Sequence, residues 1–223
     1  MKAAIVTPWD GRHEDLLSQC LKSTEASKIP HLVIRCGQDW ETKIFELRDV
    51  ADIVLWVDAD DVVYEDALER CVYALENSDV GVAYTDEAVI DMEGSVIKIN
   101  KGQRSLLDIA SHPNCVHHLV ATRAQTIDLE PVKVFNEYAD FDAPNRGCPL
   151  DWLMRARSAT RYGMVRVPMV GYGWRRRPEQ ISSDRGFASH FHKVLPHVRQ
   201  HVRSWIDWTT ANANSAKALG LNL

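Results

Sequence analysis

Asp58, Asp60 and Asp61 follow directly on the apolar run Ile53-Val54-Leu55-Trp56-Val57. Carboxylates this close repel one another, a cost that falls when a cation lies among them. Aspartate oxygens are hard ligands suited to Mg²⁺ or Mn²⁺, ions that often keep waters and bind substrate phosphates at the same time. Ligands of open α/β sheets sit beyond the carboxyl ends of the strands, so an acidic turn ending a buried strand predicts a metal-bridged phosphate site. The local alternative is that one of the three, Asp61 above all, caps a helix starting near Tyr64 or Glu65. Asp151 opens a second helical pattern, where backbone amides favour the ionised carboxylate. It is either a helix cap or a proton acceptor. The third feature is basic: residues 153–203 hold 11 Lys and Arg against 2 Asp and Glu, including Arg175-Arg176-Arg177. Guanidinium forks match phosphate oxygens.

The elements that must position these groups follow from periodicity. Apolar runs at 3–7, 31–36 and 53–57 alternate with helical patterns at 14–24 and 42–48, giving the order β-α-β-α-β. Runs that are apolar throughout, rather than alternating, belong to a sheet covered on both faces. A helix over 64–77 and a strand over 80–85 come next, then a hairpin whose arms, 88–91 and 95–99, flank Met92-Glu93-Gly94. Residues 103–115 and 131–147 read as loops holding short helices. Beyond them the pattern predicts a strand at 119–122, a helix at 150–160, two strands, 164–167 and 170–174, separated at Pro168, and a final helix over 186–208 interrupted near Pro196. With no repeat or linker, the economical reading is one α/β domain with a variable second half, made of residues 1–100, 101–185 and a helical extension over 186–223.

Taken together, these motifs resemble the nucleotide-sugar glycosyltransferases of GT-A fold, in particular the family 2 type. The likeness runs from Ala3 to about Ser183. Thr7-Pro8-Trp9-Asp10-Gly11-Arg12 resembles the family's opening strand and nucleotide loop, and Leu55-Trp56-Val57-Asp58-Ala59-Asp60-Asp61 its Asp-x-Asp signature. Cys148-Pro149-Leu150-Asp151-Trp152-Leu153 is similar to the acidic motif of the acceptor-side helix, and Tyr172-Gly173-Trp174-Arg175-Arg176-Arg177 to the closing strand and basic loop. The resemblance implies a Rossmann-like domain with a mostly parallel mixed central sheet, and inverting transfer from a nucleoside-diphosphate sugar with Mn²⁺ or Mg²⁺ as cofactor. It assigns Asp60 to the metal, Asp58 to the metal or the donor ribose, and Asp61 to supporting either. Asp151 becomes the general base. Pro8, Trp9, Asp10 and Arg12 become donor contacts, with Arg175 and Arg176 on the diphosphate; Asp86, His117, His118 and Trp152 fall on the acceptor side. The sequence departs from the pattern in two places. The second strand ends Arg35-Cys36-Gly37-Gln38-Asp39, where the family has paired Asp before Gly, leaving Asp39 as the one carboxylate there to contact the donor nucleotide. Leu150 stands where the acidic motif has its first carboxylate.

Composition fits this reading. The net charge of −5 divides into 11 Lys and Arg against 22 Asp and Glu in residues 1–111, and 15 against 9 in the remainder, as expected where one half holds a cation and the other faces phosphate. Five widely spaced Cys without a Cys-x-x-Cys pair point to reduced thiols. No run approaches the roughly 18–20 apolar residues of a membrane span, and the first residues do not form a signal peptide, so the expectation is a cytoplasmic chain with no membrane insertion. His197 and His201, spaced i and i+4, could bind zinc, but no Glu follows His197 as in His-Glu-x-x-His, which favours a polar helix face. The acceptor is open among glycan, protein and small molecule, with a nucleic acid also possible given the basic stretch. A nucleotidyltransferase is an alternative, disfavoured because the loop after the first strand is poor in Gly. A non-catalytic nucleotide- or glycan-binding relative is another.

Overall fold

The computed structural model describes residues 1–35, 40–102, 104–111, 119–138, 150–177 and 185–218. The elements in order are β1 (Ala3–Trp9), α1 (Glu14–Thr24), β2 (His31–Arg35), α2 (Trp40–Val50), β3 (Ile53–Trp56), β4 (Val62–Val63), α3 (Ala67–Glu76), β5 (Val82–Ile90), β6 (Val96–Asn100), α4 (Leu106–Ser111), β7 (Val120–Arg123), α5 (Glu130–Tyr138), α6 (Leu150–Tyr162), β8 (Met164–Arg175) and α7 (Arg185–Ala218). They form one mixed sheet ordered β2-β1-β3-β7-β5-β8-β4, with β6 paired to β5. Strands β1, β2, β3, β5 and β8 point one way, and β4, β6 and β7 the other.

Alternation along the buried strands divides the core. Val6, Val54, Val82 and Val120 face one side and pack with α2, α4, α5, α6 and α7; Ile5, Leu55, Ala83 and Ala121 face the other, against α1 and α3. This is the two-sided burial that the uninterrupted apolar runs predict, and the α/β class is as expected. Among the described residues no helix is long and apolar enough to cross a membrane.

Several boundaries differ from the sequence reading. Pro8 does not end β1. Its missing N–H points to the β3 side, and β3 pairs β1 only as far as Val6, so nothing is lost there. The strand at 80–85 and the first hairpin arm are one strand, β5, because Asp86 is neutralised in place by Arg166 rather than turning the chain out to solvent. The two strands around Pro168 are likewise one, β8. Its register to β5 jumps from Val167 opposite Thr85 to Val170 opposite Asp86, so Pro168 and Met169 form a bulge. In α7, Pro196 lies inside a continuous helix. Val194, Val198, Val202 and Trp205 bury on both sides of it and hold the helix against the one lost backbone bond.

Candidate functional site

The carboxyl ends of β3 and β8 meet through β4. The chain leaves β3 at Trp56, turns through Asp58–Asp61 with the Asp61 N–H on the Asp58 carbonyl (3.2 Å), and returns as β4 against Tyr172 and Gly173 of β8. This contact requires Gly173, because a Cβ there would lie 2.7 Å from the Val62 side chain. The end of β8 then holds the acidic turn at successive points. The Tyr172 hydroxyl accepts the Asp58 N–H at 2.9 Å, and the Arg175 N–H donates to Asp61 Oδ1 at 2.7 Å. Arg177 closes the set, with Nε and Nη2 each 2.7 Å from Asp60 Oδ2.

Arg175 has a different place from the diphosphate contact expected of it. Only 2% exposed, it donates through Nε to the Asp60 carbonyl (2.8 Å), through Nη1 to the carbonyls of Asp91 and Met92 (3.2 and 2.8 Å), and through Nη2 to Gln19 Oε1 (3.1 Å). It is a bracket joining the acidic turn, the β5–β6 turn and α1. Arg176 is exposed, its guanidinium 5.0 Å from the Trp174 ring. Alternation along a strand puts residues 175 and 177 on one face and 176 on the other, a signal in the sequence that groups Arg177 with Arg175 on the side of the acidic turn, whereas the motif reading favoured Arg175 and Arg176.

Asp61 is also corrected. It is 1% exposed and held by the Arg175 amide, so it shapes the turn from inside and is not presented to a metal. Burial, then the charges of Asp60 and Asp58, push its carboxyl well above the usual range, against the pull of the Arg175 amide and the Tyr172 hydroxyl. Asp60 is raised in the same way, by burial and by Asp58, with Arg177 pulling it down. Among the described residues no group of three or more His, Cys, Asp or Glu side chains could hold an ion. Asp58 and Asp60 remain as hard-oxygen donors beside one another. That donor set suits Mg²⁺ or Mn²⁺ when phosphate oxygens and water complete the shell.

At the end of β1 the loop is closed on itself. Asp10 accepts the Arg12 N–H on Oδ1 (2.9 Å) and the Arg12 guanidinium on Oδ2 (2.9 and 2.6 Å), while Trp9 Nε1 donates to the Arg12 carbonyl (2.7 Å). Gly11 and His13 both take positive φ, 88° and 55°. Asp10 is therefore committed to Arg12 rather than left open as an acceptor for a base. Burial pushes its carboxyl up, but the Arg12 contacts outweigh this and hold it below the ordinary value. Arg35, which sequence reasoning passed over, packs its guanidinium on Gly11, where a Cβ would come within 3.0 Å of Nη2.

No family model matches the sequence, and no curated protein matches it. Solved structures do. Staphylococcus aureus TarS 1-349 in complex with UDP-GlcNAc superposes with a TM-score of 0.54 at 13% identity, covering 100% of this chain and 77% of that one. The chain has a GT-A-like fold. TarS 1-349 alone gives 0.51 at 13% identity over 96% and 72% of the two chains, and the longer TarS structure gives 0.51 at 13% over 89% and 39%.

Within this GT-A-like fold the expected acceptor-side residues are spread over separate elements. Asp151 lies in the first turn of α6, 57% exposed, its Oδ2 2.8 Å from Nη2 of the buried Arg155. Trp152 points the opposite way. Its ring is fully buried and Nε1 donates to the Ile109 carbonyl at 2.9 Å, so it anchors α6 to α4 and is unavailable to an acceptor. Asp86 is a second correction. Arg166 grips it with Nε at 2.8 Å and Nη2 at 2.6 Å, and the Gly102 N–H adds a contact at 3.2 Å. Burial raises its carboxyl, and these partners together bring it below the ordinary value. His197 and His201 face Tyr138, the first stacked at 5.6 Å and the second edge-on at 5.7 Å, a packing role rather than a plain polar face. Asp39, His117 and His118 lie outside the described residues, as do Cys36, Cys115 and Cys148; Cys20 and Cys71 are free and buried, their thiols pushed up to about 12 by burial.

Proposed function

We propose that this chain is a metal-dependent, inverting glycosyltransferase of family 2 type that moves a sugar from a nucleoside-diphosphate sugar to an acceptor hydroxyl. The observation that carries the reading is the acidic turn at the carboxyl end of β3, fixed by the end of β8 with Asp60 and Arg177 side by side. The likeness of fold to TarS, whose complex holds UDP-GlcNAc, supports the donor class. Asp58 and Asp60 would hold Mn²⁺ or Mg²⁺, which when bound supplies positive charge to the leaving diphosphate. Trp9 offers an indole face at the end of β1 for the base. Arg177 and the exposed Arg176 would bring their guanidinium groups to the diphosphate. Asp151, beside Arg155, would take the acceptor proton as the new glycosidic bond forms. The acceptor would be a glycan, protein or small molecule.

The test is a thermal-shift panel of nucleoside diphosphates and nucleotide sugars with Mn²⁺, followed by hydrolysis and transfer assays on the hits. A true donor at ~100 times its dissociation constant adds roughly 2.7 kcal/mol of stability. A panel with no hit, or turnover of a nucleotide sugar that Asp60→Ala and excess chelator leave undiminished, overturns the reading.

A further inference from the structure

The position of Arg177 has a consequence for how a cation enters. Both its Nε and its Nη2 are 2.7 Å from a single oxygen, Asp60 Oδ2. The two side chains are 13% and 22% exposed, well out of bulk water, where an ion pair is screened little and breaking it without replacement is costly. A divalent ion binding Asp60 through Oδ2 must therefore displace a positive charge already in place, and one binding through Oδ1 must share the carboxylate with it. Two carboxylates and water compete poorly with a forked guanidinium, and among the described residues no third carboxylate joins them, because Asp61 is turned inward onto the Arg175 amide. A diphosphate changes both sides of this balance. Its oxygens are a better partner for an Arg fork than one shared carboxylate oxygen, and they supply the ligands a hard cation lacks. Arg177 is placed for the exchange, since it lies past the end of β8, directly after the Arg176 N–H bond to the Ile90 carbonyl at 2.9 Å.

We infer that Arg177 is the resident counter-ion of Asp60, and that donor diphosphate opens Asp60 to a divalent cation by taking Arg177 onto its own oxygens. Metal and donor then bind as a coupled pair. By linkage, each raises the affinity of the other by the same factor. The inference rests on the nucleotide-sugar reading for its diphosphate half. Its metal half is testable with Mn²⁺ alone.

Mn²⁺ binding is measured by electron paramagnetic resonance of the free ion, at fixed salt, with the full chain as wild type, Arg177→Gln and Arg177→Lys. Without nucleotide, Arg177→Gln binds Mn²⁺ at least about tenfold tighter than wild type, because the competing charge is gone. Arg177→Lys keeps the charge and stays near wild type, which separates competition from a general loosening of the loop. The nucleoside diphosphate that hits in the thermal-shift panel tightens Mn²⁺ about tenfold or more in wild type and distinctly less in Arg177→Gln. Equal Mn²⁺ affinity of wild type and Arg177→Gln overturns the counter-ion role whatever the nucleotide does. If Arg177→Gln does not fold, the wild type to Arg177→Lys comparison with and without nucleotide decides, and Mn²⁺ affinity indifferent to nucleotide in both overturns the exchange. A panel in which no nucleotide binds, with Arg177→Gln still tightening Mn²⁺, removes the glycosyl-transfer reading and leaves Arg177 as the counter-ion.

Discussion

The chain buries aspartate in two contrasting ways. Asp86 is met by a fork from Arg166 and an amide from Gly102, and its carboxyl lies below the ordinary value in spite of burial. At the acidic turn three carboxylates share Arg177, the Arg175 amide and the Tyr172 hydroxyl, and Asp60 and Asp61 are both pushed up. The first arrangement is complete and holds β5 to the bulge of β8. The second crowds carboxylates so closely that Asp60 and Asp61 are pushed up, which costs the folded chain something and is a cost that a bound cation would relieve. A buried aspartate thus takes its role from how far its charge is answered, and burial alone does not distinguish the two.

The widest separation should appear in turnover. Asp60→Asn and Asp151→Asn are expected to lower sugar transfer by about 10²–10⁴-fold, with nucleoside-diphosphate affinity of Asp151→Asn nearly unchanged. Equal turnover in Asp151→Asn would move the base elsewhere. Next comes the bracket. Arg175→Met leaves the Asp60, Asp91 and Met92 carbonyls without their guanidinium and should cost ~3 kcal/mol, read as a lower urea midpoint. A loss of activity without that loss of stability would return Arg175 to the diphosphate.

Smaller, but of opposite sign, are the neutralising substitutions in the two clusters. In the metal-free protein Asp61 has a raised native value, so the folded chain keeps a proton that the unfolded chain has released above about pH 4. Stability therefore falls as pH rises from there toward the native value. Asp61→Asn removes that loss and should be more stable than wild type near pH 7, since an amide oxygen still accepts the Arg175 N–H. Asp86 has a depressed native value, so its contribution is present above the unfolded value and is lost as pH falls through the native one. Asp86→Asn should accordingly be less stable than wild type at pH 7 and converge with it in acid. Urea midpoints at pH 7 and pH 3 for the three proteins decide the matter, and two substitutions that both destabilise at pH 7 would end the contrast between the clusters.

The acidic turn was legible because a strand apolar throughout, followed at once by aspartates, leaves few other readings, and the α/β order came from periodicity alone. Partners were harder to read because they depend on register. The pairing of Asp86 with Arg166 requires β5 and β8 to be neighbours in the register that sets Arg166 opposite Tyr84, and nothing local encodes that. Trp152 illustrates the reverse error. The resemblance put it on the acceptor side with Asp151, but neighbouring helix positions point in different directions, and the ring belongs to the core.

The smallest expected effect lies at the opposite edge of the sheet and tests whether an acid response can be assigned to one group at all. His31 bridges β1 and α1, with Nδ1 2.8 Å from Thr24 Oγ1 and Nε2 2.7 Å from Thr7 Oγ1. Thr24 spends its own proton on the Leu21 carbonyl at 2.9 Å, so it accepts from Nδ1–H, and Nε2 accepts from the Thr7 hydroxyl. The neutral ring is thereby fully matched, and burial pushes its value below the usual one. With the native value depressed, the unfolded chain takes up a proton below about pH 6.5 that the folded chain refuses. Stability contributed here is present above that pH and falls as the solution is acidified toward the native value. Over the same interval Asp61 makes the folded chain more stable, so the wild-type midpoint sums two opposed slopes. His31→Gln, which keeps a donor and an acceptor but does not titrate, should remove the falling component and leave a midpoint that rises more steeply from pH 7 to pH 5 than that of wild type. Parallel slopes for the two proteins would show that the Thr7–His31–Thr24 bridge tolerates the imidazolium.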